Sequence, residues 1–440
     1  MKAGLPNVSN PDLGPLVIRK LTWRLVPFLF LLYVVAYLDR INVGFAALQM
    51  QQQLHFNDAV YGLGAGLFFA GYFCFQVPSN VMLQRVGARR WIATLMVVWG
   101  IVSAGMILVR TEHGFYGLRF LLGLAEAGFF PGVILYLKNW FPESARARTV
   151  ARFMTAAPLA GFIGGPISGA LLNLHQRWGL AGWQWLFIME GLPAILLGFV
   201  VWVYLTDYPA EAHWLSDDER YWLLATLRDE FATAPVPGPA SPFAAFREVR
   251  IWVLCLVYFG LTTVMYGIGL WLPTLIHSLS GLGNVGIGIL SAIPYLAAAM
   301  VMVIAGLHSD RTGERRWHTA LPGFVGAGAL VIAAYSSSVG LSVAAISVAM
   351  LCTFSTMGPF WAVPTRVLSG AAAAVGIAVI NSVGNLGGFA GPWIIGAVRK
   401  MTGTFRGGLL AVAAGLALSG IMVLTVRTAA HSDLPGSSQR

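Results

Sequence analysis

Long apolar runs separated by short polar stretches cover nearly the whole chain. Each run has about 20 residues or more, which is enough for a helix to cross a hydrocarbon core of roughly 30 Å. Because unpaired backbone groups are too costly in lipid, such runs predict membrane-spanning helices. The twelve runs lie at about 23–49, 58–84, 91–109, 115–138, 149–173, 183–205, 250–279, 286–307, 318–337, 341–364, 371–398 and 405–427.

The composition agrees with an all-α integral membrane protein. Of the 440 residues, 57% are hydrophobic and 10% are charged, and the mean hydropathy is +0.72. Soluble domains carry about 25% charged residues. The chain is polar up to Leu16, and the first apolar run is too long for the core of a signal peptide. We therefore expect the first run to remain as a span.

The positive charges are distributed unevenly between the two sides of the predicted membrane. Of the 28 Lys and Arg, 21 fall on the side that carries both termini. Cytoplasmic loops are enriched in Lys and Arg, so both termini are predicted to be cytoplasmic. The net charge of +10 is then a topology signal and does not favour nucleic-acid binding. The three cysteines have no metal-like spacing and are interpreted as packing residues.

Two short patterns recur 226 positions apart. The loop "RVGARRW" at 85–91 matches "RTGERRW" at 311–317, and "GGP" at 164–166 matches "AGP" at 390–392. Two coincidences at one spacing indicate a duplicated six-helix unit. Two such bundles are typical of transporters, in which the substrate site lies near the bilayer midplane between the repeats.

The duplication predicts an N-terminal bundle at 1–205 and a C-terminal bundle at 250–440. The intervening segment 206–249 breaks the apolar pattern. Within it, Ser216 and Glu219 have the spacing of a capping box, which indicates a short amphipathic helix on the cytoplasmic surface. The following "APVPGPASP" predicts a stiff tether, and we expect the whole segment to act as a linker.

Five charged residues fall at membrane depth, all in the first half. They are Asp39, Arg40, Arg119, Glu126 and Glu190. A charge inside the bilayer costs at least about 2.5 kcal/mol, so such residues are functional candidates. The alternative is that they pair with one another and lock the N-terminal bundle.

Arg119 and Glu126 lie seven residues apart in the predicted fourth span. They share one helix face at about 10 Å, which is too far for a direct ion pair. Arg119 could therefore offer a planar cationic fork to a carboxylate. Glu126, surrounded by Leu, Ala and Gly, is costly to keep charged and could take up and release a proton. A cation beside a titratable acid suits proton-coupled anion uptake.

Asp39 and Arg40 are neighbours in the first span and point about 100° apart on a helix. One could face a cavity while the other meets a neighbouring helix. We expect Asp39 to be a second proton site, and Arg40 either to contact the anion or to lock the bundle. Glu190, near the start of the sixth span, is expected to cap or bridge near the outer surface.

Neutral polar and aromatic residues are the candidates that complete a cavity. Asn381 and Asn385 share a face of the eleventh span and could bind hydroxyls or a second carboxylate, although bonding between helices is an equal alternative. Tyr37, Tyr72 and Trp361 could line the cavity or serve as packing.

Several catalytic motifs are missing from the sequence. It contains no G-x-x-x-x-G-K-[ST], no H-E-x-x-H and no G-x-S-x-G. We therefore expect transport driven by a gradient, with no cofactor and with protons as the coupling ion. A membrane enzyme acting on lipids would need a nucleophile or metal motif, and a sensor would need a signalling domain longer than 206–249.

With its twelve spans and duplicated halves, the chain resembles the major facilitator superfamily. The basic loops resemble that family's G-x-x-x-D-R-x-G-R-R motif, which implies a gating role for their residues. The first copy has Gln84 in place of the acid, which weakens the case for a gating charge pair there. The gating residues implied by the resemblance are Arg85, Gly87, Arg89, Arg90, Asp310, Arg311, Gly313 and Arg315.

Four motifs narrow the resemblance to the anion:cation symporter family. They are "YLDRINVGFAA", "RFLLGLAEAGFFPGVILYLKNWFP", "WQWLFIMEGLPA" and "GIAVINSVGNLGGFAGP". That family includes permeases for tartrate, sugar acids and aromatic acids. It implies proton-coupled import across a bacterial inner membrane, with Asp39 and Glu126 as proton sites. It also implies substrate contacts from Arg40, Arg119, Tyr37, Tyr72 and an Asn of the eleventh span.

Two further expectations follow from this resemblance. Sugar-acid members are expected to carry a Gln in the fifth span, and "FMTAAPLAG" has none, which favours a smaller or more apolar acid. We expect a monomer that binds a small organic anion. The alternative within transport is a proton-driven efflux antiporter of organic anions or drugs.

Overall fold

The computed structural model describes residues 12–233, 247–368 and 370–426. Within these ranges the chain forms seventeen α-helices and three short 3-10 helices, and no β-strand. The predicted all-α fold is therefore confirmed.

The α-helices are numbered in chain order. The first nine are α1 Leu13–Leu54, α2 Asp58–Val86, α3 Ala88–Gly105, α4 Glu112–Glu126, α5 Phe129–Trp140, α6 Glu143–Met154, α7 Ala156–Leu172, α8 Gly182–Tyr204 and α9 Asp217–Thr233. The remaining eight are α10 Val249–Ser280, α11 Asn284–Thr312, α12 Trp317–Tyr335, α13 Val339–Ser355, α14 Met357–Val367, α15 Gly370–Asn385, α16 Gly387–Thr402 and α17 Arg406–Thr425.

Eleven segments of the described chain are long and apolar enough to cross a membrane. Three of them combine two helices that meet at a short break, namely α4 with α5, α6 with α7, and α13 with α14. The predicted eleventh span corresponds to α15 and α16, which have 16 residues each and are separated at Leu386. Each of these two helices is shorter than a membrane span, and they are not among the eleven segments.

Local sequence signals set several helix ends. The Asn57 side chain accepts hydrogen bonds from the backbone N–H groups of Ala59 and Val60 at the start of α2. Thr111 caps α4 in the same way through the N–H of Gly114. Such caps satisfy donors that have no partner within the helix, and they define where a span begins.

Contacts divide the chain into two units. The first contains Met1–Pro235 with Gly281–Ala292, and the second contains Val236–Ser280 with Ile293–Arg440. In the first unit, α1 packs on α7 and α8, and α3 packs on α8. In the second unit, α10 packs on α16 and α17, and α12 packs on α17. The packing of the first span on the fifth and sixth, and of the third on the sixth, is thus repeated in the second unit. There the seventh span packs on the eleventh and twelfth, and the ninth packs on the twelfth.

The helix between the halves is attached to the first unit. Ser216 and Glu219 form a capping box, with Glu219 Oε2 accepting from the Ser216 N–H at 2.8 Å and Ser216 Oγ accepting from the Glu219 N–H at 3.3 Å. Glu219 also pairs with Lys20 of α1, and Glu230 pairs with Arg146 of α6. The predicted tether at 234–242 lies outside the described residues.

Glycine allows α2 and α4 to approach until their backbones touch. A Cβ atom on Gly123 would collide with the carbonyl oxygen of Phe68, and one on Gly71 would collide with that of Phe120. This contact brings the residues of α4 that carry charge next to the aromatic face of α2.

Candidate functional site

A buried ion pair joins the first and fourth spans. Arg40 Nη2 donates to Glu126 Oε2 at 3.0 Å, and both side chains are almost completely buried. The α2 rings of Phe68 and Tyr72 lie 5.2 and 5.4 Å from the Arg40 guanidinium carbon. Glu126 is the last residue of α4, at the break before α5.

Arg119 is close to this pair but makes no ion pair of its own among the described residues. Its side chain is fully buried, and Nη2 donates to the Ala65 carbonyl at 3.4 Å. Its Nε and Nη1 atoms have no hydrogen-bond partner. The Phe68 ring, 5.1 Å away, lies near both arginines. Since buried polar groups are normally hydrogen-bonded, two unsatisfied N–H sites mark Arg119 as a candidate anion contact.

Asp39 faces a different set of neighbours from Arg40. Its Oδ1 atom accepts from Ser103 Oγ at 2.6 Å and from Asn42 Nδ2 at 3.3 Å. Asp39 is therefore directed toward α3, whereas Arg40 is directed toward α4. As predicted, the side chains of Asp39 and Arg40 point in different directions.

Of the two roles expected for Glu190, capping is wrong, whereas the residue does bridge two helices, deeper in the span than expected. Glu190 is buried, and its Oε1 atom accepts from Ser168 Oγ of α7 at 2.9 Å. It lies eight residues into α8, which begins at Gly182, and this places it about 12 Å along the helix. That depth removes it from the helix end, where capping would occur.

Sequence reasoning missed three polar residues around Asp39 and Glu190. Asn42, Ser103 and Ser168 are fully or almost fully buried and hydrogen-bond to the two carboxyls. The available signal was the position of Asn42 one helical turn after Asp39. Single serines in apolar runs carry no comparable signal, because they also occur as packing residues.

The candidate aromatic residues of the first half are buried among other rings. Tyr37 lies 6.4 Å from the Tyr33 ring, and Tyr72 lies 6.2 Å from Phe68. Both tyrosines are less than 5% exposed. Tyr72 and Phe68 of α2 form an aromatic surface against Arg40, which is called the aromatic floor below. Tyr37 is on the same helix as Asp39 and Arg40.

The second-half candidates make contacts with one another or with aromatic rings. Asn385 Nδ2 donates to Asn381 Oδ1 at 3.3 Å, so the two amides share a face of α15 as predicted. Trp361 meets the Tyr258 ring edge to face at 4.9 Å. Tyr258 also stacks on Phe360 at 5.3 Å.

The first basic loop obtains its acid from outside the loop. Asp207, which follows α8, accepts from the Arg89 N–H at 2.8 Å and pairs with Arg89 Nε at 3.3 Å. Gly87 has a φ of 93°, and a Cβ there would lie 2.9 Å from Asp207 Oδ1. Arg85 and Arg90 lie at the adjoining ends of α2 and α3. Asp207 thus supplies the first loop with an acidic partner, which Gln84 cannot be.

In the second basic loop, the acidic partner of the arginine comes from the same stretch of chain. Arg315 pairs with Asp310 at 2.7 Å and donates to Ser309 Oγ at 2.8 Å. Gly313 has a φ of 68°, which favours glycine, and Arg311 lies in the last turn of α11. Within the described parts of the chain, no group of three or more His, Cys, Asp or Glu could hold a metal ion.

Comparison with known proteins agrees with this architecture. A family model described as Major Facilitator Superfamily matches residues 29–392. A protein of Agrobacterium vitis named "Putative tartrate transporter" is 50% identical over 421 residues, which cover 96% of this chain and 97% of the relative. A "Quinolone resistance transporter" of Acinetobacter baumannii is 42% identical, over 89% of this chain and 91% of the relative.

A solved structure supports the fold at lower identity. The crystal structure of a bacterial homolog to the human lysosomal transporter Spinster, in an inward-facing and occupied conformation, has a TM-score of 0.75. It is 17% identical, and the alignment covers 91% of this chain and 95% of that one.

Proposed function

Because this chain belongs to the Major Facilitator Superfamily, we propose that it is a proton-coupled symporter that imports an organic carboxylate anion by alternating access. The observation that carries the proposal is Arg119, which is fully buried and has two N–H sites without a partner. A substrate carboxylate would supply an acceptor to this guanidinium and balance its charge. The tartrate-named relative supports a small hydroxylated dicarboxylate as the first probe.

Glu126 is the proposed link between proton and substrate. While Glu126 is ionised, it accepts a charge-assisted hydrogen bond from Arg40. Protonation of Glu126 removes that charge, and Arg40 then gains by turning toward the anion. The proton thus prepares a second cationic contact beside Arg119, and Asp39 serves as the second proton site.

Arg119 is closed from solvent in this structure. Binding therefore requires an opening movement, which alternating access would supply. On the second half, Asn381, Asn385 and Trp361 are the proposed neutral contacts. We further propose a monomer in a bacterial inner membrane with both termini cytoplasmic, on the basis of the charge asymmetry.

The test of the anion contact is Arg119→Lys in purified protein with tartrate as ligand. A lysine keeps the charge but loses the planar fork, so we expect Kd to rise at least about tenfold. Isothermal titration measures the change, and Arg110→Lys on the exposed loop is the matched control. An unchanged Kd in Arg119→Lys contradicts the assignment, and a panel of carboxylates then identifies the better ligand.

The second candidate is an efflux antiporter, which the quinolone-resistance relative favours. The same charges could serve export. Liposomes with an imposed proton gradient distinguish the two: a symporter accumulates the anion on the side toward which protons flow, whereas an antiporter depletes it there.

A further inference from the structure

A second polar cluster lies beside the Arg40–Glu126 pair and is separate from it. It contains two carboxyls, an amide and two hydroxyls, contributed by α1, α3, α7 and α8. Its members are Asp39, Asn42, Ser103, Ser168 and Glu190, all of which are 5% exposed or less. Arg40, which follows Asp39 in the chain, is bound to Glu126 of the other cluster. Two ionised carboxylates in such a place would be very costly.

The hydrogen bonds of the cluster leave three oxygen atoms without a partner. Ser103 and Asn42 donate to Asp39 Oδ1, and Ser168 donates to Glu190 Oε1. Asp39 Oδ2, Asn42 Oδ1 and Glu190 Oε2 accept nothing. All three are acceptors, and the Asn42 side chain lies within hydrogen-bonding reach of the Glu190 carboxyl. Acceptors cannot hydrogen-bond to one another unless one of them carries a proton.

A proton on Glu190 Oε2 would turn that oxygen into a hydrogen-bond donor. The protonated Oε2 can donate to Asn42 Oδ1, which satisfies two of the three oxygens in one bond. The indole N–H of Trp99 lies near Asp39 and can serve the remaining oxygen, Oδ2. Asn42 Nδ2 meanwhile continues to donate to Asp39, which remains the ionised acceptor.

The same atoms can also hold the proton on Asp39 instead of Glu190. If the amide of Asn42 turns end over end, Asp39 Oδ2 can carry the proton and donate to Asn42 Oδ1. Asn42 Nδ2 then donates to an ionised Glu190. The two ends of an amide are nearly equal in size, so the turn needs little repacking.

We propose that Asp39 and Glu190 share one proton, and that the orientation of the Asn42 amide decides which of the two carboxyls holds it. Glu190 is then a proton site that holds the proton while Asp39 is ionised. Whether Glu190 carries a proton follows from the structure alone, whereas the part of Glu190 in transport rests on the proposed function.

The helices packed against α8 differ in the charged groups that they carry. On α1, Asp39 interacts electrostatically with Glu190, and its neighbour Arg40 is bound to Glu126. Helix α7 contains no titratable side chain at all. On α3 the charged residues are Arg89 and Arg90, and Arg90 is about 20 Å along the helix from Ser103. The 3-10 helix Met106–Leu108 also packs on α8 and has none.

Counting the charges of the whole buried set supports a single shared proton. The cations are Arg40 and Arg119, and the acids are Glu126, Asp39 and Glu190. Electrostatic interaction extends from Glu126 to Asp39 and from Asp39 to Arg119, so the two clusters are coupled. With one proton between Asp39 and Glu190, two positive and two negative charges remain. The set is then neutral before any substrate binds.

The test of occupancy is infrared spectroscopy of the purified full chain in lipid at neutral pH. A protonated carboxyl gives a carbonyl stretching band that shifts in heavy water. We expect Glu190→Gln to remove one such band, because a glutamine side chain keeps the shape but cannot carry the acid proton. The matched control is Glu112→Gln, which changes an exposed glutamate at the start of α4 and should leave the band intact.

Ser168→Ala keeps the test informative if the Gln variant does not fold. It removes the donor to Oε1 while retaining the acid, so the Glu190 band should persist and shift in frequency. A spectrum unchanged in both variants shows that Glu190 is ionised and overturns the proposal. Loss of the band in Glu190→Gln together with its shift in Ser168→Ala supports it.

The transport readout is separate. In liposomes, Asn42→Leu and Glu190→Gln should slow proton-driven uptake by roughly 100-fold, as expected when a positioned proton-transfer group is lost. Exchange of anion without net proton movement should be retained. If the wild-type chain moves anion with no protons, the proposed function fails while the infrared result stands. If uptake is proton-driven and unaffected by either variant, the role of Glu190 in transport is wrong.

Discussion

The two halves of the chain share a helix-packing pattern but differ in what they bury. The first unit buries five charged side chains at membrane depth, in two adjoining clusters. In the described part of the second unit, the buried polar side chains are hydroxyls such as Thr262 and Thr353, most of them bonded to helix carbonyls. A duplicated fold therefore does not imply duplicated chemistry. Among the described residues, buried charge is concentrated in the first unit, and the buried polar side chains of the second are neutral.

The largest effect in this comparison is expected for Glu126→Gln. The variant keeps a hydrogen-bond acceptor for Arg40 but cannot exchange a proton. Proton-driven uptake in liposomes should fall by about 100-fold or more, while counterflow exchange of the anion should persist. Survival of driven uptake with loss of counterflow would mean that Glu126 does not couple protons to transport.

A smaller effect is expected on the neutral side, for Asn385→Leu. It removes an amide that bonds to Asn381 on the same helix and that we propose as a neutral contact of the ligand. A hydrogen bond inside a membrane protein is worth about 0.6 kcal/mol on average, and we expect a loss of that size in ligand binding. Kd for tartrate should rise about threefold, well below the change in Arg119→Lys. Isothermal titration of both variants in parallel measures the contrast. An effect as large as that of Arg119→Lys would show that the second half carries as much of the binding as the first.

The basic loops give a third contrast. Asp207 bonds to both the backbone and the side chain of Arg89, whereas Asp310 is 69% exposed and bonds within its own loop. Asp207→Asn should destabilise the protein by about 1 kcal/mol and Asp310→Asn by about 0.5 kcal/mol or less. Thermal melting in detergent compares them. Equal shifts in Tm would mean that the acid outside the first loop has no special structural role.

The smallest effect concerns the attachment of α9. Partial burial raises the pKa of Glu219, but hydrogen bonds from Lys20 and Ser216 outweigh it and hold that pKa below its ordinary value. The contact with α1 therefore stabilises the folded state above about pH 4.3 and is lost as the pH falls further. The protection of α9 amides against hydrogen exchange, taken relative to the intrinsic amide rate at each pH, should fall below that pH. In Glu219→Gln that protection should be the same at both pH values.

The positions of the spans could be read from the sequence because lipid imposes a length and an apolar composition on each one, but the breaks that divide several spans into two helices could not. The charged candidates could also be found, since a charge in an apolar run is conspicuous. The residues that hydrogen-bond to these charged side chains could not be found from the sequence. Arg40 was open to either anion contact or locking, and only the packing of α1 beside α4 shows that it meets Glu126.

Two other features could not be read from the sequence, for physical reasons. Glu190 lies near a helix start by sequence, but two helical turns are enough to bury it beside α7. The sequence of the first loop has Gln84 in place of an acid, and Asp207 reaches the loop from a distant part of the chain. A repeat in sequence predicts similar backbones and does not specify which residue supplies a given contact.

The backbone contact between α2 and α4 limits how this site could be redesigned. Because Gly71 and Gly123 leave no room for a side chain, these helices cannot be spaced further apart without losing their packing. The aromatic floor on α2 and the charges on α4 would therefore shift together as one block. Engineering for a larger or smaller ligand should succeed through substitutions on α1 and in the second half, and libraries at the α2–α4 contact should return mostly unfolded protein.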